Sequence, residues 1–109
     1  MENREENLLI IREIEIEPAV TQRQLSNRLS ISLGKTNYLL RGLIEKGFIK
    51  AKNFTTKPDK INKIHYYLTK EGFEHKMHLM QLFLKKKEQE YNQMKEEWER
   101  LVANKKEYI

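Results

Sequence analysis

The stretch SLGKTNYLLRGLIEKG, residues 32–47, constrains the fold of this chain more than any other part of it. It begins with a serine that can cap a helix and ends with a glycine that can close one, and its apolar residues recur at helical spacing. The inward side comprises Thr36, Leu40, Leu43 and Gly47, flanked by Leu33 and Ile44. The outward side comprises Gly34, Asn37, Tyr38, Arg41 and Glu45. The stretch therefore predicts a helix with one side in a core and one side that either contacts a partner or is only solvated.

Two shorter helices are predicted before this stretch. Residues 5–17 carry apolar residues on one side and acids at their start, where the helix dipole favours negative charge. Residues 19–21 form a short link that could pair as a minor strand. Thr21 to Gln24 then match the capping-box pattern, which predicts the start of a second helix over residues 22–29. A tight turn connects this helix to the third one.

A β-hairpin is predicted after the third helix, because the apolar period changes to two. Residues 48–54 and 63–68 alternate, and the segment between them contains the turn sequence KPDK. The basic residues at its tip are Lys57, Lys60 and Lys63. Such a hairpin could also be a scaffold whose lysines only increase solubility.

The positive charge of the chain is concentrated at its centre. The net charge is +5, but residues 1–18 hold six acids and two bases, whereas residues 32–70 hold nine bases and two acids. Residues 71–109 are balanced, with eight of each. This distribution favours a polyanionic partner that binds the centre of the chain.

Composition excludes several classes of protein. With 109 residues the chain has room for one domain, or for a small domain and an extension. The absence of cysteine excludes disulfides, thiolate zinc sites and cysteine nucleophiles. The longest apolar runs are far too short to span a bilayer, and Met1 is followed by Glu2 rather than by a signal sequence, so we expect no membrane partner and a cytoplasmic location.

From Thr69 onward the apolar period becomes 3.5, which is typical of a coiled coil. The a positions are Met77, Leu84, Tyr91 and Trp98, and the d positions are Phe73, Met80, Met94 and Leu101. A helix over residues 69–108 would be ~60 Å long, too long to be buried on one small domain, which predicts pairing with a second copy. The alternative is a helix that folds back over its own domain and uses the aromatic residues as core.

The order helix, short strand, helix, helix, hairpin, together with the runs TQRQLSNRLSISLGKTNYLLRGLIEKGFI and YYLTKEG, resembles MarR-type winged-helix transcriptional regulators. The chain looks most like the short group associated with exopolysaccharide biosynthesis loci, and the resemblance covers nearly all of it. It implies a mainly α fold with a small β-wing (α+β). A winged helix-turn-helix DNA-binding domain would occupy residues 1–70, and a long C-terminal coiled-coil helix, residues 71–109, would form a homodimer.

The resemblance also implies a function, that of a bacterial regulator that binds double-stranded DNA. The family's DNA-facing positions on the third helix correspond to Ser32, Lys35, Asn37, Tyr38 and Arg41. Its wing positions correspond to Lys57, Lys60 and Lys63. The dimerisation residues follow from the heptad spacing instead and are Met77, Met80, Leu84, Tyr91, Met94, Trp98 and Leu101. Ser30 replaces the glycine that the family often has in the turn, where a left-handed residue other than glycine costs about 1 kcal/mol.

Other chemistry is weakly represented in the sequence. Glu71, Glu74, His75 and His78 lie within two helical turns and could bind a metal, but the two histidines take f and b positions, which normally face water. His65 is expected at the surface of the hairpin or against a phosphate. No carboxylate pair or phosphate-binding glycine loop is recognisable, so we expect neither an enzyme nor a cofactor.

Two functions remain open from the sequence. The first is a dimeric transcription factor that binds a pseudo-palindromic operator, with its effector, if any, unknown. The second is an interaction module whose coiled coil recruits a protein and whose hairpin does not bind DNA. Binding to DNA through several lysines should weaken steeply with salt, whereas an apolar coiled-coil contact should change little.

Overall fold

The computed structural model describes residues 3–54 and 63–105. Its elements, in chain order, are α1 (Arg4–Ile16), α2 (Gln22–Leu29), α3 (Leu33–Glu45), β1 (Ile49–Phe54), β2 (Lys63–Leu68) and α4 (Lys70–Asn104). This order confirms the predicted fold class, which is mainly helical with a small antiparallel sheet and a long C-terminal helix. The chain divides into two compact units, Met1–Leu79 and Met80–Ile109.

The core of the first unit lies where α1, α2 and α3 meet one another and the hairpin. Its buried apolar side chains are Leu8, Ile10, Ile11, Ile14, Val20, Leu25, Leu39, Leu40, Leu43, Ile49, Tyr66 and Leu79. Most come from helices at spacings of three and four residues, as expected for amphipathic helices around one core. In the described part of the chain, no helix is long and apolar enough to cross a membrane.

The start and the end of α2 are fixed by local hydrogen bonds. The Thr21 hydroxyl accepts from the Gln24 backbone N–H (3.1 Å), and the Gln24 side chain accepts from the Thr21 backbone N–H (2.9 Å), which confirms the capping box. At the other end Ser30 is left-handed, with φ 55°. The backbone N–H of Ile31 donates to the Ser26 carbonyl (3.1 Å), so the turn into α3 is a closed, hydrogen-bonded loop.

Both ends of α3 are fixed in the same way. The Ser32 hydroxyl accepts from the Lys35 backbone N–H (3.0 Å) and caps the helix. At its end Gly47 is left-handed, with φ 79°, and donates to the Ile44 carbonyl, while the Phe48 N–H donates to the Leu43 carbonyl. These two bonds form a Schellman motif, so Gly47 closes the helix as predicted.

The inward side of α3 differs from the predicted one at three positions. Gly47 was expected on this side, but it is exposed beyond the end of the helix. Leu33 was expected to flank the core, but it is 43% exposed, because as the first residue of the helix it lies at the edge of the packed region. Leu39 is buried instead, beside Leu40 and Leu43. The buried stripe still runs through Thr36, Leu40 and Leu43 as predicted, and Leu39 widens it on one side.

The hairpin pairs β1 with β2 in antiparallel register, with Ile49 opposite Leu68. Tyr66 is buried, and its backbone N–H donates to the Pro18 carbonyl (2.9 Å). The link over residues 19–21 could have paired as a minor strand, but the structure assigns no strand to it. Pro18 supplies one hydrogen bond to β2, and the residues after it turn directly into the capped start of α2.

The first turn of α4 packs directly against the end of α3. The Thr69 hydroxyl lies 2.6 Å from the Gly47 carbonyl oxygen and 3.1 Å from that of Phe48, and it accepts from the Gly72 backbone N–H (3.0 Å). Gly72 is buried so tightly that a Cβ there would overlap the Phe48 carbonyl oxygen. A glycine at this position is therefore required by the close approach of two backbones.

Candidate nucleic-acid interface

The outward side of α3 presents large side chains next to positive charge. Tyr38 is 70% exposed, and Arg41, one turn further along the helix, is exposed as well. Both belong to the predicted DNA-facing set. A planar phenol and a guanidinium on one exposed helix side suit contacts with base edges and phosphates, because both offer hydrogen-bond donors at the end of an apolar stem.

Asn37 is placed differently from the outward orientation that its spacing suggested. It is only half-buried rather than exposed, and its side-chain Nδ2 donates to the Oε1 of Gln22 (3.2 Å) at the start of α2. The spacing of α3 alone could not show this, since the partner lies on the preceding helix. The side chain of Asn37 is thus held between the two helices of the helix-turn-helix.

Ser32 and Lys35 lie together at the beginning of α3. The Ser32 oxygen caps the helix, and its hydroxyl hydrogen stays available to a phosphate at this positively polarised end. The Lys35 amine forms an ion pair with the Glu6 carboxylate of α1 (2.8 Å). An approaching phosphate would therefore have to compete with a carboxylate of the same chain for Lys35.

A groove of about 810 Å³ runs between the start of α1 and the outward side of α3. Its lining residues are Asn3, Asn7, Asn37, Tyr38, Leu39, Arg41, Gly42, Leu43, Glu45 and Lys46. The Asn7 Oδ1 atom is buried and has no hydrogen-bond partner among the described residues. The groove borders the predicted DNA-facing side chains Asn37, Tyr38 and Arg41 and extends from them to Lys46.

The predicted wing is described only in part. Lys57 and Lys60 lie outside the described residues, and Lys63 is described only as the first residue of β2, opposite Phe54. Two further lysines, Lys50 and Lys52, are exposed on β1 and were not singled out from the sequence. The Lys52 amine lies 5.8 Å from the centre of the Tyr67 ring, within the range of a cation–π contact.

The histidines of α4 do not form a metal site with the described residues around them. His75 was expected to face water, but it is half-buried and stacks on Phe48 with ring centres 4.2 Å apart. This happens because the close approach at Gly72 brings the start of β1 over that side of α4. Burial lowers the pKa of His75, and the charges of Lys46 and His78 lower it further. No group of three or more potential ligands is found in the ranges that the structure describes.

The residues predicted for dimerisation carry large exposed apolar surfaces. In the first unit Met77 is exposed. In the second unit the exposed residues are Met80, Leu84, Tyr91, Met94, Trp98 and Leu101. Tyr91 and Trp98 are each 65% exposed, although aromatic side chains are among the most costly to leave in water.

Two residues that bear on this interface were missed from the sequence, Gln22 and Glu6. Each contacts a predicted DNA-facing residue on another helix. Gln22 contacts Asn37, 15 residues away in the sequence, and Glu6 contacts Lys35. For Gln22 the available signal was its place at the start of α2, which a tight turn joins to α3, whereas no signal in the sequence pointed to Glu6.

The capped helix, tight turn, second helix and antiparallel hairpin together define a winged helix-turn-helix fold. Residues 7–50 match the family model described as winged helix-turn-helix DNA-binding. No curated protein sequence matches the chain.

Solved structures with a similar fold include MepR of Staphylococcus aureus in complex with DNA, at 18% identity and a TM-score of 0.68, over 99% of this chain and 76% of that one. A MarR protein from Peptoclostridium difficile is 18% identical, with a TM-score of 0.67, over 99% of this chain and 67% of that one. A MarR transcriptional regulator from Methanosarcina mazei is 14% identical, with a TM-score of 0.61, over 94% and 78%. At these identities the likeness establishes the fold.

Proposed function

We propose that this chain is a transcriptional regulator that binds double-stranded DNA sequence-specifically, with α3 in the major groove. The observation that carries the proposal is the outward side of α3, with Tyr38 and Arg41 exposed, inside a segment that matches a DNA-binding family. The excess of basic residues over residues 32–70 supports it, since phosphate contacts supply most of the affinity of such proteins. The similar fold of MepR, which has been solved with DNA, is consistent with it.

The proposed roles follow from the chemistry of each side chain. Asn37 reads an adenine through its amide, Tyr38 contacts a thymine methyl or a phosphate, and Arg41 binds a guanine or a phosphate. Ser32 and Lys35 bind the backbone at the start of the helix. Lys57, Lys60 and Lys63 of the wing bind phosphates or the minor groove.

The proposal includes a homodimer, because one helix in the groove reads only a few base pairs and useful specificity needs two half-sites. Support comes from the exposed apolar residues of α4, whose spacing of 3.5 matches a coiled-coil seam. Two such helices would shield Tyr91 and Trp98 from water. Control of polysaccharide biosynthesis genes, by resemblance to the short exopolysaccharide group, is the proposed biological role.

A selection from a random duplex library tests the DNA-binding proposal. The wild-type chain should enrich one pseudo-palindromic sequence, and its affinity for that sequence should fall steeply with salt. Asn37→Ala should lose about 1–3 kcal/mol of binding and relax the preference at one base position per half-site. Equal losses on selected and random duplexes would show that Asn37 does not read a base.

A matched pair of variants controls this experiment. Arg41 on α3 and Arg12 on α1 are both exposed arginines, so Arg41→Ala and Arg12→Ala remove the same charge from different sides of the domain. We expect only Arg41→Ala to weaken binding to the selected duplex by about 1–3 kcal/mol. If both variants bind alike, the outward side of α3 does not form the interface.

The exposed apolar residues of the second unit also favour the alternative, an interaction module that recruits another protein through α4. A chain of that kind would enrich no sequence from the library. Its partner binding would change little between low and high salt, since apolar contacts are not screened.

A further inference from the structure

The amide of Asn37 is held by Gln22, and this contact has a consequence for base reading. Resting on the proposed function, in which Asn37 reads a base, we infer that Gln22 is a positioning residue that sets which edge of the Asn37 amide faces the DNA. The carrying observation is the 3.2 Å hydrogen bond from the Asn37 Nδ2 to the Gln22 Oε1, with both side chains half-buried.

An asparagine amide without a partner does not present one fixed edge. Its terminal torsion is broad and roughly two-fold, so a half turn exchanges the carbonyl oxygen and the NH₂ group. A bidentate contact with adenine needs the oxygen to accept from N6 and one N–H to donate to N7. The exchanged amide would place an acceptor against N7 and a donor against N6, and both bonds would be lost.

The Gln22 bond selects between these two states and leaves the reading edge free. The Asn37 amide has two N–H donors and one oxygen. Gln22 takes one N–H, and the oxygen and the second N–H stay available for adenine. In the exchanged state the two carbonyl oxygens would face each other, which is repulsive, so that state is disfavoured as long as Gln22 presents Oε1.

Gln22 is itself placed by rigid local structure. It is the first residue of α2, directly after Thr21, whose reciprocal bonds with Gln24 fix the start of the helix. The closed turn between α2 and α3 fixes the distance between the two helices. Gln22 therefore reaches Asn37 from a defined position, as a residue that supports a reading side chain must.

Two substitutions separate positioning from other roles of Gln22. Gln22→Met keeps the length and the neutral charge of the side chain but removes the acceptor. Gln22→Glu keeps an acceptor facing Asn37 and cannot donate, so the Asn37 amide is held in the same orientation, at the cost of a negative charge near DNA. Thermal unfolding of both variants checks that the domain stays folded.

The measurement is base discrimination at a single position. A sequence is selected with the wild-type chain of 109 residues from a random duplex library, and duplexes with all four base pairs at each position are then titrated. The relevant position is the one at which Asn37→Ala relaxes the preference. Discrimination is the ratio of Kd for each other base pair to Kd for the preferred pair, so a uniform change in affinity cancels.

We expect Gln22→Met to reduce discrimination at that position by about 2- to 10-fold, the range of one neutral hydrogen bond, and at no other position. Gln22→Glu should keep the discrimination of the wild type while binding all duplexes more weakly. The double variant Gln22→Met/Asn37→Ala should match Asn37→Ala alone, because Gln22 acts only through Asn37.

Three different results would overturn the inference, and they are distinguishable. If the wild type enriches a sequence and Gln22→Met retains full discrimination at the Asn37 position, Gln22 does not position the amide, and DNA binding stands. If Gln22→Glu loses discrimination as Gln22→Met does, the bond runs in the opposite direction and the inference fails as stated. If the wild type enriches no sequence, the proposed function is wrong, and the inference, which rests on it, is wrong as well.

Discussion

Replacing Gly72 by alanine should destabilise the first unit strongly, although alanine is the better helix former. Gly72 lies in the first turn of α4, and a Cβ there would overlap the Phe48 carbonyl oxygen and lie 2.7 Å from the Leu68 Cδ1. The oxygen belongs to backbone, so it cannot rotate away as a side chain would. The first turn of α4 must then move away from the start of β1.

The size of the effect follows from what this movement disturbs. Forcing an extra carbon into a packed site costs about 1–3 kcal/mol. The Phe48 carbonyl also accepts from the Thr69 backbone N–H at 3.0 Å, and a shift of α4 stretches that bond and the one from the Thr69 hydroxyl, at about 0.5–1.5 kcal/mol each. The higher helix propensity of alanine offsets about 1 kcal/mol of this loss of stability. We expect a net loss of about 1–5 kcal/mol, which is large beside the typical 5–15 kcal/mol stability of a domain.

Gly42→Ala is the matched control, because Gly42 also lies in a helix and a Cβ there would meet nothing within 4 Å. This variant should gain about 0.5–1 kcal/mol. Urea unfolding followed by circular dichroism measures both, with stability compared at equal m-values. If Gly72→Ala is as stable as Gly42→Ala, the close approach of the two backbones is not present in the protein.

Three further predictions concern other parts of the chain. Ser30→Gly should raise the free energy of unfolding by about 0.5–1 kcal/mol, because glycine adopts φ 55° without strain, and no gain would mean that the turn is not left-handed. Glu6→Gln should release Lys35 and strengthen binding to any duplex by about 1.5- to 5-fold at low salt. Unchanged affinity would show that Glu6 does not compete with a DNA phosphate for Lys35. Trp98→Glu/Leu101→Glu should sediment as a folded monomer, since charge in the seam costs on the order of several kcal/mol, and a dimer that binds DNA normally would exclude this interface.

The parts of the fold that could be predicted from the sequence are those set by neighbouring residues. The capping box at Thr21, the closing glycine at Gly47 and the helix over residues 22–29 all depend on contacts within about five positions. Each such motif pairs a residue type with a backbone geometry, so it can be recognised without knowing the rest of the structure. The left-handed Ser30 was anticipated on a different ground, the resemblance to a family that often has a glycine at this place in the turn.

The features that could not be predicted depend on contacts between elements distant in the sequence. The stacking of His75 on Phe48 and the bond between Asn37 and Gln22 join different elements, and heptad or helical spacing describes only one element at a time. The same reason applies at the short link over residues 19–21, because the hydrogen bond with β2 is made by the preceding Pro18 and depends on where the hairpin packs. Within the candidate site, the helical spacing identified the exposed Tyr38 and Arg41 but not the hydrogen bond with Gln22 that restrains Asn37.

The two fixed ends of α3 limit how this domain can change during evolution. Ser32 and Gly47 set where the helix starts and stops, so its length cannot drift at either end without breaking a cap or a Schellman motif. One residue inserted between them would rotate everything after it by about 100° around the helix axis. Arg41 would then leave the outward side and an apolar neighbour would replace it. Variants of this chain with altered sequence preference should therefore differ in α3 by substitution and never by insertion or deletion.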